Sequence, residues 1–144
     1  GIEILEVTLH VGLGTFSSID EEDIRKHKMH AEFFSVSAQT ISQLQIFQQN
    51  QQCIIGLGTT SVRVLETLAL KNFQVSSGWT DIFIYPPHKF RIVNGLLTNF
   101  HLPKSTLLIL VSAFCGRNFI LGAYQQAATE KYRFLSYGDC MMIL

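Results

Sequence analysis

Apolar positions crowd the start of the chain. Ile2, Ile4 and Leu5, then Val7 and Leu9, predict a strand from the first residues on. His10-Val-Gly-Leu-Gly-Thr-Phe16 is a glycine-punctuated loop. Asp20, Glu21, Glu22 and Asp23 precede Arg25, Lys26 and Lys28, an order that complements a helix dipole and predicts a short exposed helix over 20–28. A strand is expected at Glu32 to Val36. Ile41, Leu44 and Phe47 recur at helical spacing among glutamines, so an amphipathic helix is predicted over about 38–51. Cys53 to Leu57 predicts a short buried strand. It turns through Gly58-Thr59-Thr60 into a helix that carries Val62, Leu65, Leu68 and Ala69 and ends near Asn72. Asp81 to Tyr85 and Phe90 to Leu97 predict two strands around the Pro86-Pro87 loop. Pro103 suits the first turn of a helix running to Cys115. Gly116 breaks it, a second helix carries Phe119, Ile120, Tyr124 and Ala127, and Cys140 to Leu144 predicts a last buried strand.

This alternation predicts an α/β class, a layered helix–sheet–helix core with a mixed sheet. A strand entered at residue 1 needs neighbours, so the expected unit is an incomplete piece of a larger domain. Composition agrees: 47% of residues are hydrophobic and 15% charged, and mean hydropathy is +0.24. Such a piece is expected to leave a strand edge and apolar surface uncovered, and so to self-associate. Eleven basic and eleven acidic side chains cancel, so net charge gives no footprint of nucleic-acid binding, and such binding by the chain alone is expected to be weak. Cys53, Cys115 and Cys140 are odd in number and far apart, which predicts buried free thiols rather than disulfides or a zinc site. The longest apolar stretch, Leu107 to Phe114, falls far short of the ~20 residues that span a bilayer, so no membrane segment is expected.

Several polar groups are candidates for chemistry, each with a plainer reading. Gly58-Thr59-Thr60-Ser61 opens a helix, where backbone N–H groups and hydroxyls can hold a phosphate or carboxylate, but such turns often only cap. Arg63 and Glu66 lie three apart, as a surface pair would. His27, His30 and Glu32 cluster without matching a metal-binding pattern, so no metal is expected. Trp79 and Asp81 stand at the mouth of a predicted strand, suited to an aromatic ligand and an acid–base group, or to a plain Asp-closed turn. Asn99, His101, Lys104, Ser105 and Thr106 gather at a strand–helix junction, where α/β enzymes build sites. Tyr132 to Asp139 interleaves aromatics with a base, suited to RNA stacking or to core packing.

Taken in order, Leu-His-Val-Gly-Leu-Gly-Thr-Phe at 9–16, His-Lys-Met-His-Ala-Glu at 27–32, Gly-Thr-Thr-Ser-Val-Arg at 58–63, Gly-Trp-Thr-Asp-Ile-Phe-Ile-Tyr-Pro at 78–86, Leu-Thr-Asn-Phe-His-Leu-Pro-Lys-Ser-Thr-Leu-Leu at 97–108 and Tyr-Arg-Phe-Leu-Ser-Tyr-Gly-Asp at 132–139 resemble the S-adenosylmethionine:tRNA ribosyltransferase-isomerases of queuosine biosynthesis. Leu13, Asn94 and Cys140 depart from that family's usual residues. The resemblance implies that 1–144 is the C-terminal part of an α/β core domain, with an N-terminal part and an inserted β-barrel domain absent. It implies transfer and isomerisation of the ribosyl group of S-adenosylmethionine onto 7-aminomethyl-7-deazaguanine at a tRNA wobble position, giving epoxyqueuosine. No cofactor is implied beyond S-adenosylmethionine as ribosyl donor. It further implies that tRNA and S-adenosylmethionine as partners, a cytoplasmic location and a monomeric full-length form.

That reaction needs a base, a proton donor and an anion site. His101, Asp81 and His30 are the catalytic candidates. Thr59, Thr60, Arg63, Trp79, Asn99, Lys104 and Ser105 are the substrate-binding candidates. The competing readings are a non-catalytic α/β nucleic-acid-binding or interaction module and an unrelated nucleotide-binding α/β enzyme.

Overall fold

In the computed structural model the described residues are 1–12, 19, 21 and 23–144. The second half of the Leu-His-Val-Gly motif, with Leu13, and the acidic Asp20 and Glu22 lie outside them. The chain is α/β, as its alternating pattern predicts, and the six strands among the described residues divide into two three-stranded sheets. In one sheet β1 (Thr8–His10), β2 (Glu32–Ser35) and β4 (Ser77–Thr80) pair antiparallel in the order β1-β2-β4. The other sheet is mixed. There β3 (Ile55–Leu57) runs parallel to β5 (Gly95–Asn99), which pairs antiparallel with β6 (Cys140–Ile143).

Four α-helices lie among the described residues: α1 (Ala38–Gln49), α2 (Thr59–Leu70), α3 (Thr106–Cys115) and α4 (Arg117–Thr129). Ser37 caps α1 by accepting from the Thr40 N–H, and Ile41 and Leu44 turn inward as their spacing predicts. Nine residues of α2 are buried, including Val62, Val64, Leu65 and Leu68. It joins Phe34 of β2, Leu96 of β5, Val111 of α3 and Ile120 of α4 in one core. Gly116, at φ +87°, ends α3 and starts α4, a left-handed backbone that favours glycine. No single helix among the described residues is long and apolar enough to cross a membrane.

Several elements differ from expectation. The first strand is paired only over Thr8–His10, because β2 offers partners only for Thr8, Leu9 and His10 before the chain turns into α1. Over 20–28 the described residues form one 3-10 turn, Ile24–Lys26, capped by the Asp23 carboxylate. The expected strand at 81–85 lies four residues earlier as β4, and that at 90–97 shifts to β5.

A buried carboxylate explains the second shift. Glu66, fully buried on α2, accepts from the backbone N–H groups of Arg91 (2.9 and 3.1 Å), Ile92 (3.1 Å) and Val93 (3.2 Å). Three donors that a strand would give to a neighbour go to one side chain. The α3 helix starts at Thr106 rather than Pro103, since the Ser105 hydroxyl takes the capping position. The three cysteines are free as expected but not buried: Cys53 and Cys140 are exposed and Cys115 is partly so.

Candidate functional site

The parallel pair β3–β5 sets the site. Its register ends at Leu57 opposite Leu97, and the Gly58 N–H then donates to the Leu97 carbonyl at 2.8 Å. Beyond that bond β3 turns through Gly58 into α2, while β5 continues through Thr98 and Asn99 to His101. Two polar motifs forty residues apart in sequence therefore leave the sheet at the same carboxyl end, where open α/β sheets place ligands. Gly58 caps α2 with no side-chain acceptor. Thr59 is buried there, and Thr60 and Ser61 line a cleft of about 260 Å³ with Val7, Thr8, Leu9 and Val11.

His101 is the most constrained side chain at this edge. Its Nε2 lies 2.9 Å from Thr98 Oγ1, and its backbone N–H donates to the Tyr124 hydroxyl at 2.9 Å. Burial pushes its pKa down to about 4, so the ring is neutral at pH 7. The ring is thus a neutral imidazole hydrogen-bonded to Thr98. Tyr124 has its own pKa raised, chiefly by burial, with the His101 N–H acting the other way. The Asn99 amide donates to the carbonyls of Gly138 (3.4 Å) and Asp139 (3.2 Å), which ties the 132–139 motif to the same strand.

Other candidates take structural posts. The Ser105 hydroxyl accepts from the Leu108 N–H at 3.2 Å and donates to the Leu102 carbonyl at 2.7 Å, so it holds the start of α3. Lys104 is exposed in the turn before it, at φ +56°, and its carbonyl accepts from the Ile19 N–H.

Arg63 is the clearest correction. It does not lie on the surface beside Glu66. Both are buried and face different partners: Arg63 Nη1 donates to Glu32 Oε2, while Glu66 holds the 91–93 backbone. Glu32 also accepts the Gly12 N–H through Oε1 at 2.8 Å. This dissolves the grouping of His27, His30 and Glu32: His27 pairs with Glu21 at 3.2 Å, and His30 is exposed.

Trp79 and Asp81 belong to the antiparallel sheet. Trp79 is 64% exposed, stands opposite Phe33 and meets it edge-on, with ring centroids 5.7 Å apart. Phe33 in turn stands opposite His10, at 5.8 Å. One face of this sheet therefore carries a His10–Phe33–Trp79 ladder, with Asp81 exposed just past its end. No ring contact, hydrogen bond or ion pair joins this group to His101 among the described residues. Thr98 and Tyr124 were missed as site residues because their spacing matches core positions. His10 and Phe33 were missed because cross-strand register cannot be seen in one strand.

The family model of the queuosine biosynthesis proteins matches residues 1–143. The chain belongs to that family. Among its relatives, the S-adenosylmethionine:tRNA ribosyltransferase-isomerase of Sulfurihydrogenibium sp. is 55% identical over all of this chain, and that of Thermotoga petrophila is 50% identical over all of it. The chain covers 42% and 43% of their lengths. A crystal structure of S-adenosylmethionine tRNA ribosyltransferase from Thermotoga maritima superposes with a TM-score of 0.72 at 46% identity, covering 78% of this chain and 41% of that one. Asn94 Oδ1 accepts the Ile54 N–H at 2.8 Å, and an aspartate oxygen would supply the same acceptor.

Proposed function

We propose that this chain is the C-terminal part of the core domain of an S-adenosylmethionine:tRNA ribosyltransferase-isomerase, acting in the cytoplasm together with an N-terminal part and an inserted β-barrel domain. The observation that supports it best is the meeting of the 58–63 and 97–108 motifs at one strand end, within a chain 55% identical throughout to a relative of that name. The reaction we infer moves the ribosyl group of S-adenosylmethionine to 7-aminomethyl-7-deazaguanine in a tRNA anticodon, isomerises it to the epoxycyclopentane of epoxyqueuosine, and releases adenine and methionine.

In this reading the α2 N-terminus, with Thr59 and Thr60, receives the methionine carboxylate, because its first N–H groups have no side-chain acceptor. The sulfonium acidifies the ribose C5′ protons, and in this reading Asp81, an exposed carboxylate, takes one or holds the substrate amine. His101, fixed by Thr98, donates or accepts a hydrogen bond at the ribosyl group, and His30 serves departing adenine as proton donor. Trp79 stacks on a base, Asn99 orients the 132–139 segment, and Lys104 meets phosphate. Arg63 and Ser105 act through the scaffold.

Mass spectrometry of nucleosides from tRNA treated with the protein of the full reading frame tests this. Epoxyqueuosine is expected with the parent and is expected to fall sharply with either His101→Ala or Asp81→Asn. Near-normal turnover in both variants removes these residues from the site. No product from the parent refutes the reaction.

A further inference from the structure

The cleft beside the α2 N-terminus has two walls from distant parts of the chain. Val7, Thr8, Leu9 and Val11 supply one, and Thr60 and Ser61 in the first turn of α2 the other. Its volume of about 260 Å³ falls below the roughly 300–1,000 Å³ of pockets that enclose a whole ligand, so it takes one end of a larger one. The first wall is mostly apolar. The second offers hydroxyls and the leading N–H groups of a helix that no side chain caps. A short aliphatic chain ending in a carboxylate satisfies both walls, and the methionine end of S-adenosylmethionine is such a chain.

The cleft fits that end only while its walls keep their distance, and the strand ladder does not secure this. Pairing of β1 with β2 stops at His10 opposite Phe33, and Val11 lies beyond it. Glu32, the first residue of β2, continues the hold with its side chain. Its Oε1 accepts the Gly12 N–H at 2.8 Å, and its Oε2 accepts from Arg63 Nη1. Arg63 follows Thr60 by three residues, so it lies on the same face of α2, about one turn further in. One buried carboxylate therefore ties the backbone next to Val11 to the helix that carries Thr60. Only a carboxylate serves both donors. A glutamine has one oxygen, and its NH₂ would face either the guanidinium or the Gly12 N–H, donor against donor.

We propose that Glu32 is a positioning residue: it sets the distance between the 7–11 wall and the α2 N-terminus, and so fits the cleft to the methionine end of S-adenosylmethionine. The proposal rests on the reading of the protein as a tRNA ribosyltransferase-isomerase and adds to it a residue that acts without touching substrate.

Steady-state kinetics on the protein of the full reading frame test this, with epoxyqueuosine read by mass spectrometry. The temperature is set so that circular dichroism shows each assayed variant folded. Glu32→Gln is expected to raise the KM for S-adenosylmethionine roughly tenfold, while kcat and the KM for tRNA change less than about threefold, because binding alone is lost. Gly12→Pro removes the N–H and leaves the ion pair intact. It is expected to raise the same KM further than Gly12→Ala, which keeps the N–H and whose Cβ would meet nothing within 4 Å. Glu66→Gln alters an equally buried carboxylate that holds the 91–93 backbone instead. It is expected to lose stability and keep the parent's KM for S-adenosylmethionine. An unchanged KM for S-adenosylmethionine in Glu32→Gln overturns the proposal. So does a parallel rise for tRNA, an equal rise in Glu66→Gln, or equal rises in the two Gly12 variants. If Glu32→Gln does not fold, the Gly12 pair decides. Failure of the transferase reading would show differently, as no epoxyqueuosine from the parent, and would remove the substrate this role serves.

Discussion

Arg63 and Glu32 hold each other inside the protein, guanidinium Nη1 on carboxylate Oε2, with side chains 3% and 1% exposed. The pair joins the middle of α2 to β2, and through the other carboxylate oxygen it anchors Gly12 at the start of the glycine-rich motif. Arg63 Nε and Nη2 have no hydrogen-bond partner among the described residues. Removing one partner of such a pair strands a buried charge and costs about 3–5 kcal/mol, whereas replacing both with apolar groups costs far less. Arg63→Met is therefore expected to shift urea unfolding by about that much. Arg63→Met with Glu32→Leu should recover part of it, the remainder reflecting the Gly12 N–H left without its acceptor. Equal stability of Arg63→Met and the parent would show that the pair is not formed.

Glu66 gives a second stability prediction with a local readout. In Glu66→Gln one carboxylate oxygen becomes an NH₂ that faces backbone donors. Leaving buried N–H groups unsatisfied costs about 1–3 kcal/mol. Amide exchange at Arg91, Ile92 and Val93 is expected to accelerate more than exchange in α2. Uniform acceleration would mean that the carboxylate supports the whole fold rather than this strap.

These two carboxylates also mark the limit of what was legible in the sequence. Helix α1 and strands β2 and β3 follow from local periodicity and turn residues, because their partners share their own pattern. The 81–94 region does not follow. Its apolar runs read as strands, but a glutamate some 25 residues earlier takes the N–H groups of Arg91, Ile92 and Val93. At the site, the strand-to-helix turn at Gly58 and the polar junction after β5 were visible as separate motifs. That they leave adjacent parallel strands was not, since pairing between strands 40 residues apart is tertiary information. Arg63 looked like a ligand cation for the same reason: nothing in its own helix shows that Glu32 comes to meet it.

His101 sets a pH dependence. Its folded pKa of about 4 lies below the ordinary 6.5, so the unfolded chain binds the proton more readily. Its contribution to stability is complete above pH 6.5, declines as pH falls below that value, and is gone below about 4. Each unit is worth 1.36 kcal/mol, so the whole shift corresponds to ~3 kcal/mol at most, reduced by the solvent that reaches the ring. His101→Gln should flatten the fall in stability between pH 6.5 and 4 measured by thermal unfolding. An unchanged profile would assign the acid sensitivity to other groups.

The last prediction concerns the mixed sheet. Leu57, Leu97 and Met142 stand opposite one another across β3, β5 and β6, on the face away from buried Leu96. Leu57 is 68% exposed and Met142 57%. Sheets with parallel pairs are normally covered on both faces, and an uncovered apolar row seeks a partner. Light scattering is expected to report dimers or larger species for the 144-residue chain. Leu57→Lys combined with Met142→Lys should shift it to monomer without loss of helical signal, because neither side chain supports the core. If the parent is already monomeric at high concentration, the row is tolerated in water and drives no association. If the double variant associates as strongly as the parent, contact runs through another surface, and the unpaired outer edge of β6 is the next to test.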